Sequence, residues 1–100
     1  MKAIMCFVED MEDELYDAEH YYMNALYYKD DNSDFSRKYA DLAKQELNHL
    51  NILHEMAVSE ISKYKEKGIT PTATMQDMWN KAHIDYIAKA RELEYKISRI

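Results

Sequence analysis

Three side chains able to do chemistry, Glu14, Glu46 and His49, fall on helical positions that the surrounding pattern reserves for apolar residues. Glu14 shares a stripe with Phe7, Met11, Ala18, Tyr21 and Ala25, while Glu46 and His49 share one with Leu42, Leu50 and Leu53. A carboxylate or imidazole turned toward an apolar interior is costly unless it is neutralised, paired or bound to a metal. Two carboxylates and an imidazole form an oxygen/nitrogen set that suits a divalent metal such as iron, manganese or zinc. It serves a thiolate-seeking metal poorly, and calcium would prefer more oxygens. The Glu46-x-x-His49 spacing is a weak signal by itself and gains weight only from the elements that position it.

Those elements are helices. The chain has 100 residues, 47% of them apolar, with one glycine and one proline, so it holds one domain and lacks the turn residues of a sandwich, a barrel or a Gly-rich phosphate-binding fold. Apolar residues recur at three- and four-residue steps over about 2–30, about 34–67 and about 73–100, which predicts an all-α domain spanning residues 1–100: a long antiparallel helical hairpin plus a third helix. The polar run Asp30-Asp31-Asn32-Ser33-Asp34 closes the hairpin, with Ser33 or Asp34 expected to cap helix 2. Gly68-Ile69-Thr70-Pro71 ends helix 2, and Thr72 or Thr74 is expected to cap a third helix with the stripe Met75, Trp79, Ala82, Tyr86, Ala90, Leu93, Ile97 and Ile100.

If the first turn centres between Asp31 and Asn32, an equal rise of about 1.5 Å per residue on both arms sets Glu14 level with His49. Glu46 lies one turn from His49 on the same face, so the three groups are expected to converge. The second turn, centred near residues 69 to 70, sets Glu94 at about the height of Glu46, which leaves open a site built within one chain.

The segment Glu14-Leu15-Tyr16-Asp17-Ala18-Glu19-His20-Tyr21, followed 32 positions after Glu14 by Glu46-Leu47-Asn48-His49, resembles the first half of the ferritin-like di-iron carboxylate proteins. Rubrerythrin-type domains and the short encapsulated ferritins are the nearest likenesses, over roughly residues 7 to 57. The resemblance implies Glu14 as the single carboxylate ligand of helix 1, Glu46 as a carboxylate able to bridge two metals, His49 as a terminal imidazole and Tyr21 as an aromatic near the site. With one Glu-x-x-His the chain carries half of such a site. The resemblance therefore implies a four-helix core completed by a homodimer or higher homo-oligomer, iron as the cofactor with manganese or zinc as alternatives, and ferroxidase or redox activity toward O₂ or peroxide.

A rival reading needs no metal: Glu14, Glu46 and His49 would form a buried polar layer fixing register in a non-catalytic helical assembly module. The remaining residues read as packing or surface. His20, His54 and His83 are expected at ordinary surface or bundle-edge positions, Trp79 as an anchor for helix 3, and the nine tyrosines and seven methionines as core, edge and oligomer interface. The cluster Glu9, Asp10, Glu12, Asp13 reads as a solvated face. A net charge of -6 argues against a nucleic-acid partner, and the absence of a legible leader or spanning run argues against a membrane. Cys6, alone, cannot form an internal disulfide, so a cytoplasmic location is expected. No hydrolase triad, Walker loop or CxxC is present.

Overall fold

In a computed structural model, which describes residues 2–100, the chain is built from α1 (Lys2–Tyr28), α2 (Ser33–Glu66) and a third helical run. That run comprises α3 (Ala73–Asn80), a π-helical segment (Lys81–Tyr86) and α4 (Ile87–Ser98). No described helix is long and apolar enough to cross a membrane. The expected all-helical hairpin plus third helix is present, with two local differences. Asn32, rather than Ser33 or Asp34, caps α2: its side chain accepts from the Phe35 N–H at 3.1 Å, leaving Ser33 inside the first turn. The π-helical segment is the second difference, where the Ile87 N–H reaches back to the Ala82 carbonyl, a step of five residues.

Helix α2 stops through backbone bonds that only a left-handed residue allows. Gly68 has φ of +70°, and this lets the Ile69 N–H reach the Tyr64 carbonyl at 2.9 Å and the Gly68 N–H reach that of Lys65 at 3.1 Å. Thr72 caps α3 through the Met75 N–H at 3.2 Å.

The α1–α2 seam is made of small residues. Ala18, Ala25, Ala43 and Ala57 are fully buried, which lets the helices approach closely, and Met11, Leu47 and Leu50 fill the wider gaps. At the closed end the buried Ser36 hydroxyl donates to the Ala25 carbonyl at 2.7 Å, tying the two arms in one register.

The third run lies along one face of this hairpin, antiparallel to α2, and buries Met75, Ala82, Tyr86, Ala90, Leu93 and Ile97. The molecule is a rod of 56 × 19 × 18 Å whose radius of gyration, 15.9 Å, exceeds the ~13 Å of a compact 100-residue domain. In so thin a rod the hairpin's other face stays open. Phe35, Leu42, Ile52 and Met56 are exposed there, although the stripe shared with Glu46 and His49 places Leu42 on the buried side.

Leu50 is completely buried in the seam, so Leu50→Ala is expected to cost about 2–5 kcal/mol in urea unfolding, whereas Tyr16→Ala, on the outer surface, should stay within about 0.5 kcal/mol.

Candidate metal centre

Helix α1 supplies Glu14 from the middle of its length, and α2 supplies Glu46 and His49 from successive turns. The hairpin register brings the three together as the height argument anticipates. His49 Nδ1 lies 3.5 Å from Glu14 Oε2 and 3.6 Å from Glu46 Oε2, and one ligand atom from each residue lies within 4.8 Å of the others. Among the described residues no other group of three His, Cys, Asp or Glu side chains is this close.

The burial differs from the sequence expectation. Glu14 and Glu46 are mostly enclosed, with side chains 24% and 19% exposed, but His49 is 53% exposed. The reason is rotational. At the doublets Leu42/Ala43, His49/Leu50 and Met56/Ala57 the second residue turns into the seam, which moves the first to the rim of the open face. The site is therefore an edge, walled on one side by the hairpin and open on the other.

Glu14 Oε2 is buried and lacks a hydrogen-bond partner. An unpartnered carboxylate oxygen is costly, and the chain lowers that cost by favouring the protonated acid. Burial pushes the Glu14 carboxyl up to about 7. The adjacent Glu46 carboxylate adds to the rise by favouring a proton between them and by repelling a second negative charge, and His49 pulls the other way. A divalent cation placed among these three side chains would satisfy the orphaned oxygen, neutralise the carboxylates and use His49 Nδ1, so the donor set fits such an ion.

Glu94 does not join this group. It pairs with Arg91 at 3.0 Å and borders a depression with Lys44, Leu47, Asn48 and Asn51 beside α4, away from Glu14. Tyr21 sits one heptad from Glu14, in an aromatic series that continues through Tyr39 at 6.2 Å to Tyr28 at 5.8 Å. Sequence reasoning missed a second constellation: His54, His83 and Trp79 pack together where α2 meets the third run. Level-matching about the second turn, centred near residues 69 to 70, sets His54 opposite residues 84 to 86, within one helical turn of His83.

No family model, curated protein or solved structure matches this chain.

The raised Glu14 acid has a readable consequence in metal-free protein. The fold holds a proton that the unfolded chain releases above about 4.5, so this stabilisation is complete below that pH and is lost as pH rises through about 7. Glu14→Gln, which mimics the neutral acid, should abolish that loss. Measured by urea unfolding with chelator present, its stability relative to wild type should increase by roughly 1–3 kcal/mol between pH 5 and pH 8.

Proposed function

We propose that the chain is a ferritin-like metal-binding protein that holds iron, or manganese or zinc in its place, through Glu14, Glu46 and His49 at a helical interface. The observation that carries this reading is the convergence of three ligand atoms from two helices around a buried Glu14 oxygen that has no hydrogen-bond partner. Three protein ligands on an open edge make an incomplete coordination sphere. A second copy, docking its own open face against this one about a two-fold axis, would bring an equal set and form a two-metal centre inside a four-helix core. The exposed Phe35, Leu42, Ile52 and Met56 flank the site and give such a partner an apolar surface to cover.

Within that assembly the chain's own side chains act by position and charge. Glu14 and Glu46 offer negative oxygens in a partly dry setting, and His49 supplies a neutral nitrogen from the rim. The Glu14 proton leaves as the ion arrives, so affinity increases as pH rises toward and past 7. Bound ferrous iron would supply the electrons for reduction of O₂ or peroxide, the ferroxidase or redox activity proposed for the site.

The rival is a non-catalytic assembly module in which the same three residues form a polar layer, favoured by the existing 3.5 and 3.6 Å approaches of His49 to both carboxylates. Anaerobic titration with Fe(II) separates the two. Saturation near one iron per chain, lost in Glu46→Ala, together with a dimer mass in sedimentation, is the expected result. Metal at about 100 times its Kd should also stabilise the wild type by roughly 3 kcal/mol. A Glu46→Leu protein as stable as the wild type, with no saturable iron binding in either, would instead support the polar layer.

A further inference from the structure

We propose that His54 and His83 form a proton-released latch, which holds the third helical run against α2 and lets it go when both imidazoles become charged. His54 Nε2 lies 3.0 Å from His83 Nδ1, the ring centroids are 5.2 Å apart and the planes differ by 13°. That centroid separation is close to the N···N distance plus one ring radius on each side, so the two nitrogens point at one another edge to edge. Such a contact needs one proton between the rings, with one nitrogen donating and the other accepting. The lone pairs aim along a single line instead of converging on a third point, so a proton fits there and a metal ion would require both rings to turn.

The pair tolerates some charge but not all of it. A proton added to an outer nitrogen leaves the N–H···N bond in place. A second sets N–H against N–H and charge against charge, and the contact breaks. Most of the influences on His54 work in the same direction. Burial opposes its charged form first, then His83 in the π-helical segment and Arg91 on α4, while Glu55 on α2 is the opposing influence, and the net effect pushes the His54 pKa down.

The bond sits at the surface edge of the docked run, with His54 half-buried and His83 exposed. Trp79, one turn before His83, stacks on both rings at centroid distances of 5.6 and 5.1 Å. It also borders a cavity of about 150 Å³ with Ile61, Tyr64, Ile69 and Met75, so apolar packing between the end of α2 and α3 is incomplete beside Trp79, in a space that neither His54 nor His83 lines. Once released, the two rings no longer confront one another, so both can carry the charge that the closed contact forbids. The open state therefore binds more protons than the closed one on acidification, and opening increases by up to about tenfold per pH unit for each proton taken up.

Native-state hydrogen exchange on the full chain, with chelator present and corrected for intrinsic rates, tests the latch between pH 7.5 and pH 5.0. The expected result is that opening of residues 73–86 increases at least about tenfold more than opening of α1. That excess should vanish in His83→Gln, whose amide can donate or accept in the same place without gaining charge, and equally in His54→Gln. Acrylamide quenching of Trp79, the chain's one tryptophan, gives a readout on the wild type alone and should increase over the same range. Uniform pH dependence along the chain, unchanged quenching, or an excess that survives in both glutamine variants would overturn the latch.

Discussion

The register between α1 and α2 is set at the closed end of the hairpin, where the buried Ser36 hydroxyl holds the Ala25 carbonyl and Asn32 caps the start of α2. From there the alanine-lined seam keeps the helices in step along their length, because small side chains admit close approach and larger ones such as Met11 and Leu50 fit only opposite them. A slip of one residue would carry Glu46 and His49 about 100° around α2 and separate them from Glu14. The candidate metal centre is thus a consequence of helix packing several turns away.

The two faces of this hairpin have opposite characters. One is covered by the third run and is mostly apolar, with Tyr86 buried against α1 and its hydroxyl near Glu12. The other is bare and carries both the exposed apolar side chains and the polar trio. Covering the open face with a second copy would dry the carboxylates further, which strengthens their attraction for a cation and raises the cost of leaving them without one. Metal and partner would then stabilise each other, each preferring the state that the other completes.

Much of this architecture was legible in the residues. The punctuation at Asp30–Asp34 and Gly68–Pro71 placed the helices to within two residues, and level-matching across the first turn brought Glu14 to His49. Burial on α2 was less legible: periodicity cannot tell which residue of an adjacent pair such as His49/Leu50 faces the partner helix, a choice made by how tightly the alanines let the helices meet. The capping residue of α2 shifted by one because asparagine, serine and aspartate all serve that role. The π-helical segment had no signature in Ala82-His83-Ile84-Asp85-Tyr86. His54 and His83 lie at the edge and surface positions expected of them, and level-matching about the second turn brings them within one helical turn of each other without fixing their pairing.

The central claim is that Glu14, Glu46 and His49 share one cation. Anomalous diffraction at the iron edge, from crystals grown and loaded with Fe(II) without oxygen, tests it most directly. The expected result is an iron peak about 2.0–2.2 Å from a carboxylate oxygen of Glu14, a carboxylate oxygen of Glu46 and His49 Nδ1, the range typical of such ligands on a borderline divalent ion. Iron seated elsewhere, with the Glu14 and Glu46 carboxyls left sharing a proton, would contradict it.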